Sequence, residues 1–159
     1  MCQNGNCSCG TEQPLKIDIK YFSKEIDKVK KIGGERSNWF DLRAAERVEL
    51  KAGQCAKIRL GVGMKLPEGY EAYIVPRSSS TFGTWKVMQT NHKAVIDEAY
   101  CGDEDEWMLP VYAFEDTVIE VNDRICQFRI QEKMPNVVFN EVEHLEDKSR
   151  GGFGTSGKQ

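Results

Sequence analysis

The chain has 159 residues, enough for one domain with its own core and too few for two domains of ordinary size. Its 22 Lys and Arg residues against 25 Asp and Glu residues give a formal net charge of -3, and the basic residues are scattered. This pattern excludes the concentrated positive surface of a nucleic-acid-binding protein. No apolar run approaches a membrane span and no signal segment opens the chain, so we expect a cytoplasmic protein.

The first 13 residues are polar and rich in turn-forming types. They hold three of the six cysteines, Cys2, Cys7 and Cys9. We predict a mobile tail, because so little apolar surface cannot order itself. A soft metal ion on these thiols is a less favoured alternative, since a structural zinc site takes four ligands. Cys55 and Cys126 lie in strand-like segments and are predicted to be core residues, whereas Cys101 beside Gly102 is predicted to be exposed.

From Leu15 onward, short alternating segments predict strands over residues 15–21, 58–64, 107–113 and 126–130. A turn at residues 67–69 predicts that residues 70–75 return as the hairpin partner of 58–64. One exception is a short helix over residues 24–32, with Ser23 as its N-cap and glycines at 33 and 34 as its stop. Residues 14–147 therefore read as one all-β domain, a sandwich or jelly-roll-like barrel.

Residues 148–159 form a glycine-rich C-terminal arm. Four glycines within seven residues forbid a strand or helix and let backbone amides crowd around an anion. The alternative is a flexible terminus with no role in binding. The single Phe153, with Arg150 nearby, favours a flexible lid.

Two further segments carry candidate chemistry. In residues 91–106 an apolar run of three brings Asp97 to the end of a strand, with Tyr100 close behind, which would present an acid and a ring to a small ligand. The alternative is an ordinary turn with a solvated Asp. Arg77 and the hydroxyls after it suit phosphate oxygens, although such a triplet is also common in a capped turn.

Five clusters follow one another in a fixed order. They are Asp41-Leu42-Arg43, Pro76-Arg77-Ser78-Ser79, Val95-Ile96-Asp97 with Tyr100 and Gly102, Arg124-Ile125-Cys126-Gln127, and Gly151-Gly152-Phe153-Gly154. In this order they resemble the five motifs of the homotrimeric dUTP diphosphatases (dUTPases), in a bacterial or bacteriophage version. The resemblance covers nearly everything between residues 15 and 157.

The resemblance implies a distorted, jelly-roll-like β-barrel protomer in a threefold trimer, with three active sites between subunits. It implies Mg2+ on the triphosphate and hydrolysis of dUTP to dUMP and pyrophosphate, which limits uracil in DNA and supplies dUMP for dTMP synthesis. Asp97 would activate the attacking water as general base and Gln127 would help to position it. Arg77, Ser78 and Ser79 would bind phosphate oxygens, with Ser79 stabilising charge on the bridging oxygen.

The family's substrate choice would fall to the segment around Asp97. The backbone of Val95 and Ile96 would pair with the uracil edge, and Tyr100 would pack under the deoxyribose where a 2′-hydroxyl would collide. Asn91 would support this hairpin. Asp41 would contact the hydrated magnesium through water.

The C-terminal arm would complete the site from a third subunit. Phe153 would stack over uracil and exclude water, with Gly154 and Thr155 also against the substrate. The γ-phosphate would be bound by Arg150, which offers a bidentate fork, with Lys148 as the fallback.

The sequence departs from the family pattern at two places in this region. Ala94 stands where the family has Gly, so the backbone must tolerate a Cβ atom there. An additional acidic stretch at residues 103–106 is predicted to be a solvated loop, with a metal site as the less favoured reading.

Two alternatives to a dUTPase remain. A dCTP deaminase shares the expected fold but needs a Glu in the strand after the hairpin, and Glu106 precedes that strand. A dUTP-sensing regulatory protein is the other, with the Cys-rich tail and the acidic stretch as partner surfaces.

Overall fold

The structure, a computed structural model, describes residues 13–34 and 37–145. These residues form short strands and one short helix, α1 (Ser78–Thr81). The strands are β1 (Asp18–Tyr21), β2 (Phe40–Arg43), β3 (Val48–Leu50), β4 (Cys55–Arg59), β5 (Val62–Lys65), β6 (Tyr70–Pro76), β7 (Val87–Gln89), β8 (Ala94–Ile96), β9 (Met108–Ala113), β10 (Thr117–Ile119) and β11 (Arg124–Glu132). The all-β class is confirmed.

All strand pairs in the described residues are antiparallel and fall into four sheets. The largest has the order β2-β11-β6-β8, and the others are β4-β9-β7, β1-β5 and β10-β3. The jelly-roll-like prediction is confirmed, although these sheets do not join into a closed barrel. The non-sequential order places β11 between β2 and β6, so that the end of β6 lies close to two strands that carry predicted motifs.

The core is built from alternate residues of these strands. Ala72 and Ile74 of β6 are fully buried. Phe128 of β11 stacks on Phe40 and meets Trp107 edge-on, each at a ring-centroid distance of 5.3 Å. Truncating such a buried aromatic side chain to Ala costs about 3–5 kcal/mol. The frame that carries the site is therefore a packed core.

The helix predicted over residues 24–32 is wrong, since the structure has bends, irregular chain and an isolated β-bridge between Lys31 and Phe40 there. The Asp27 amide donates to Asn122 Oδ1 at 2.8 Å and the Val29 amide to the Tyr21 hydroxyl at 2.9 Å. Side chains from other elements thus accept hydrogen bonds from backbone amides that, in a helix, would donate to the helix's own carbonyls. Nine residues with β-branched apolar positions give too little helix stability to compete. Gly33, with φ of 64°, ends the segment in a turn as predicted.

The predicted pairing of residues 58–64 with 70–75 is also wrong. The chain turns at Gly61, whose φ is 67°, and divides into β4 and β5. The positive φ favours glycine there, and a Cβ atom would lie 2.6 Å from Ile26 Cδ1 and 3.0 Å from the Cβ atom of Ala45. β5 then pairs with β1, and β6 pairs with β11 and β8.

Of the three predictions for cysteines in the described residues, two are confirmed and one is wrong. Cys126 is fully buried as expected, and burial, with a contribution from nearby Asp41, raises the pKa of its thiol far above the usual range. Cys101 is exposed, as expected. Cys55 is exposed as well, so its prediction as a core residue is wrong. It is out of phase with the buried Ile58 and lies on the outward face of β4.

Several predictions fall on segments outside the described residues. They concern the Cys-rich tail, and the arm with its site residues Lys148, Arg150, Phe153, Gly154 and Thr155. Within the described part of the chain, no helix has the length and apolarity to cross a membrane.

Candidate active site

The end of β6 carries a polar pocket of about 400 Å³. It is lined by Arg43, Arg77, Ser79, Trp85, Asn122, Asp123 and Arg124. In the sheet register, Gln127 lies opposite both Val75 of β6 and Asp41 of β2. The structure therefore brings the first, second and fourth sequence clusters together in one protomer, at what we call the phosphate end.

Asp41 is the electrostatic centre of the phosphate end. It is 8% exposed, with Arg77 Nη1 2.7 Å from its Oδ1 and Arg124 Nη1 3.3 Å from its Oδ2. Both carboxylate oxygens are thus engaged by guanidinium groups that also line the pocket. A buried carboxylate paired in this way restrains both arginines and offsets part of the cost of its own desolvation.

Helix α1 is fixed by Ser80, which sequence reasoning did not assign. Ser80 is buried, donates from Oγ to the Ile125 carbonyl at 2.6 Å and accepts from the Arg77 amide at 3.3 Å. Ser78 is exposed and Ser79 half-buried beside the pocket. The third serine thus anchors the turn, so that the other two can face a ligand.

Two more residues at the phosphate end were missed. A Cβ atom on Gly83 would lie 2.7 Å from Ser79 Cα, so only glycine allows this close approach. Trp85 Nε1 donates to Asp123 Oδ2 at 3.0 Å and forms one wall of the pocket. No local spacing could have linked Trp85 with Asp123, since the two lie 38 positions apart.

Gln127 and Asn91 are both held by hydrogen bonds near β6. Gln127 Nε2 donates to the Pro76 carbonyl at 3.2 Å. Gln89 Nε2 donates to Asn91 Oδ1 at 2.8 Å and to the Ile74 carbonyl at 3.2 Å. Through Gln89, Asn91 therefore ties the turn before β8 to β6, and its role in supporting a bound substrate stays a prediction.

β8 is an edge strand of the largest sheet, which leaves one side of its backbone unpaired among the described residues. Val95 is 54% exposed, and Ile96 is half-buried. Ala94 is buried opposite Ile74, and its backbone is extended, without positive φ. The Cβ atom of Ala94 thus fits into the core, which explains how this chain tolerates the departure from glycine.

Asp97 follows β8 in an exposed turn. Its Oδ1 accepts hydrogen bonds from the Ala99 amide at 2.9 Å and the Tyr100 amide at 3.2 Å. The other oxygen, Oδ2, has no partner within the described part of the chain. The carboxylate is therefore oriented by its own turn and keeps an oxygen free to accept a proton.

Glu98 fastens this turn to the sheet. Its carboxylate accepts from Lys133 Nζ and from the Gly69 amide, both at 2.8 Å. The Lys133 hydrogen bond, followed by the amide bond, holds the pKa of Glu98 below its ordinary value. The turn thus rests on the β5–β6 connection and on the end of β11.

The acidic stretch is only partly the solvated loop that the sequence predicted. The Asp103 side chain is 96% exposed, but Glu106 is buried and pairs with Arg59 at 2.9 Å. Among the described residues, no cluster of acidic, His or Cys side chains could hold a metal ion.

The phosphate end and Asp97 do not meet within one protomer. Ile96 is paired with Ala72, whereas Arg77 follows Pro76 at the other end of β6. The five residue steps from position 72 to position 77 correspond to about 17 Å at a rise of about 3.3 Å per residue. A general base at one end cannot act on a phosphate bound at the other.

The fold and the order of these clusters are those of the dUTPase class, and comparison with known proteins gives the same class. Residues 28–157 match the family model described as dUTPase, and the chain belongs to that family. It is 50% identical over 143 residues to the SPbeta prophage-derived deoxyuridine 5'-triphosphate nucleotidohydrolase of Bacillus subtilis, covering 90% of this chain and 99% of the relative. A deoxyuridine 5'-triphosphate nucleotidohydrolase of Streptomyces avermitilis is 37% identical over 74% of this chain and 67% of its own length.

Solved structures show the same fold. A Staphylococcus bacteriophage 80alpha dUTPase, solved with dUpNHpp, superposes with a TM-score of 0.73 at 21% identity, covering 89% of this chain and 98% of its own. A dUTPase of phage phi11 of S. aureus, described with a structural Mg(II) ion, gives 0.69 at 17% identity over 83% of this chain and 99% of its own.

Proposed function

We propose that this chain hydrolyses dUTP to dUMP and pyrophosphate by water attack on the α-phosphorus, with Asp97 as general base. The observation that carries the proposal is the Asp97 turn, in which one carboxylate oxygen is held by two amides and the other is free. Such a carboxylate can accept a proton from water without first being oriented. Gln127, held beside the end of β6, would position the same water.

The triphosphate would bind at the phosphate end. Arg77, Ser78 and Ser79 supply a guanidinium and two hydroxyls there, matching a chain of phosphate oxygens. Arg124 adds a second guanidinium to the same pocket. Ser79 would stabilise charge on the bridging oxygen of the departing pyrophosphate.

Mg2+ fits this end as an ion that arrives with the triphosphate. Among the described residues, Asp41 is the one carboxylate that forms ion pairs with Arg77 and Arg124, and both its oxygens already carry hydrogen bonds. It can therefore reach a metal-bound water more readily than the metal itself, in keeping with the preference of Mg2+ for retained water. When bound, the ion would neutralise charge on the phosphate oxygens.

A homotrimer would join the two ends of the site. Because Asp97 and Arg77 lie at opposite ends of β6, a neighbouring protomer must bring the base to the phosphate. Residues 134–145 extend without strand or helix, and Val138, Phe139 and Leu145 are about nine-tenths exposed. Large apolar side chains in that setting favour burial against another subunit. The expected cytoplasmic location remains a prediction.

Substrate choice would lie at the edge of β8. The unpaired backbone of Val95 and Ile96 could form hydrogen bonds with the uracil edge, as in the addition of a strand to a sheet. Tyr100, 40% exposed, would pack under the deoxyribose, with Asn91 supporting the turn. Phe153, Gly154, Thr155 and Arg150, or Lys148 in its place, would close the site from the arm.

The proposed function is tested by assaying pyrophosphate release from dUTP, dTTP, dCTP and UTP, with Mg2+ present or chelated. We expect release from dUTP with Mg2+ and little from the other three. Ammonia release from dCTP at a comparable rate would contradict the proposal in favour of a deaminase. The pairing of Glu106 with Arg59 argues against that outcome, because it occupies the nearest candidate acid.

A further inference from the structure

The acidic stretch at residues 103–106 has no role in the proposed function, yet it joins Tyr100 to β9. Its members differ sharply in environment. Asp103 and Glu104 are exposed, whereas Glu106 is 7% exposed. A buried carboxylate at the end of an otherwise solvated stretch requires specific partners.

The partners of the Glu106 carboxylate belong to the β-scaffold. Arg59 Nε donates to Oε2 and the Gly61 amide donates to Oε1, each at 2.9 Å. Arg59 ends β4, and Gly61 forms the turn between β4 and β5. These charge-assisted bonds fix the end of the acidic stretch to the turn between β4 and β5.

The backbone of the same residue holds the tip of Tyr100. The Tyr100 hydroxyl donates to the Glu106 carbonyl at 3.2 Å. The stretch between them is closed by the Gly102 amide, which donates to Asp105 Oδ2 at 2.6 Å. The ring of Tyr100 is thus held at both ends, by the Asp97 turn at its Cα atom and by Glu106 at its hydroxyl.

We propose that Glu106 is a positioning residue that acts through Tyr100 and sets discrimination against ribonucleotides. The inference rests on the proposed function, in which Tyr100 packs against the deoxyribose. A pocket wall rejects an added hydroxyl by only about a hundredfold, and only if the wall cannot move aside. A ring tethered at its hydroxyl cannot yield to a 2′-hydroxyl, whereas a free ring can rotate.

The test compares kcat/KM for dUTP and UTP in the full-length chain and in Glu106→Gln. We expect the preference for dUTP over UTP to fall about tenfold, with kcat for dUTP changed by less than about threefold. Tyr100→Phe, which removes the tether, should lower this preference similarly. The preference of the double variant, Glu106→Gln with Tyr100→Phe, should be no lower than that of the less selective single variant. Glu104→Gln, an exposed acid in the same stretch, is the matched control and should keep the wild-type preference.

Arg59→Gln is the second variant, since Arg59 is 41% exposed at its side chain and tolerates replacement better than the buried acid. It should reproduce the loss of preference in part. The inference would be overturned if folded Glu106→Gln and Arg59→Gln both kept the wild-type preference for dUTP over UTP. It would also be overturned if the losses of preference in Glu106→Gln and Tyr100→Phe multiplied in the double variant.

An NMR readout separates the inference from the proposed function. The ring resonances of Tyr100, assigned by their loss in Tyr100→Phe, should show increased mobility in Glu106→Gln, whatever the substrate. If the wild-type chain released no pyrophosphate from dUTP, the proposed function would fail, while this measurement would still report on the tether. A ring equally rigid in both proteins would refute the positioning role.

Discussion

The two ends of β6 are organised in opposite ways. At the phosphate end, Asp41 is buried and paired with two arginines, and Ser80 anchors α1 from inside the core. At the other end, Asp97 is exposed, and within the described part of the chain its carboxylate is held only by amides of its own turn. In the proposed function, phosphate recognition would thus be built into one protomer, whereas the base and the sugar wall would be presented outward to a neighbour.

This difference has a physical reason. Several guanidinium and hydroxyl groups must converge on a highly charged ligand, and a buried carboxylate keeps the guanidinium groups from dispersing. A general base must remain ionised and reach water, which exposure favours. In the proposed function, placing the two requirements at opposite ends of one strand would leave the site incomplete until subunits assemble.

The largest effect should come from the exposed end. Asp97→Asn keeps the shape of the side chain and its amide contacts but removes the proton acceptor, so we expect kcat to fall by roughly two to four orders of magnitude. Affinity for dUTP should stay near normal, as measured by calorimetry. Asp103→Asn, an exposed acid six positions later, is the control. Unchanged turnover in Asp97→Asn would refute its role as the base.

Mixed trimers test whether the two ends come from different protomers. Asp97→Asn and Arg77→Ala protomers should each be nearly inactive alone. When they are unfolded together and refolded in equal amounts, about a quarter of the sites should combine an intact Arg77 with an intact Asp97 of a neighbour in a closed ring. Activity should recover to about a quarter of wild type. No recovery in trimers verified as mixed would contradict a shared site.

A smaller effect is expected at the buried end. Asp41→Asn leaves Arg77 and Arg124 without their shared charge, so we expect KM for dUTP to rise about tenfold and the midpoint of thermal unfolding to fall by several degrees. Steady-state kinetics and calorimetry measure the two changes. Asp116→Asn is the control, because it disrupts an exposed pair with Lys51 and should alter neither quantity. Equal effects of the two substitutions would contradict a special role for Asp41.

The smallest effect concerns the attachment of the Asp97 turn. Because the pKa of Glu98 lies below its ordinary 4.5 in the folded chain, its ionised form adds stability above that pH, and this contribution is lost as pH falls through the folded pKa. Glu98→Gln should lower the unfolding midpoint by about 1–2 °C at pH 7, and the difference from wild type should shrink progressively as the pH falls below 4.5. Lys133→Gln should match it at pH 7. A difference that does not shrink as the pH falls would point to a cause other than the charge.

The segment at residues 24–32 carries a helical pattern, but the Asn122 side chain, 95 positions from Asp27, and the Tyr21 hydroxyl of β1 accept hydrogen bonds from its amides. The exposure of Cys55 depended on the phase of β4, which a single cysteine cannot reveal. The sequence predicts a solvated Glu106, because its partner Arg59 lies 47 positions away.

The sequence by itself determined the family and the identity of the candidate residues, because side-chain types in a fixed order state which chemistry is available. Tertiary structure alone decided their grouping. The order of strands around β6 gathers Asp41, Arg77 and Gln127 at one end and leaves Asp97 at the other. Strand order is set by packing and pairing across the whole core, which no local spacing records.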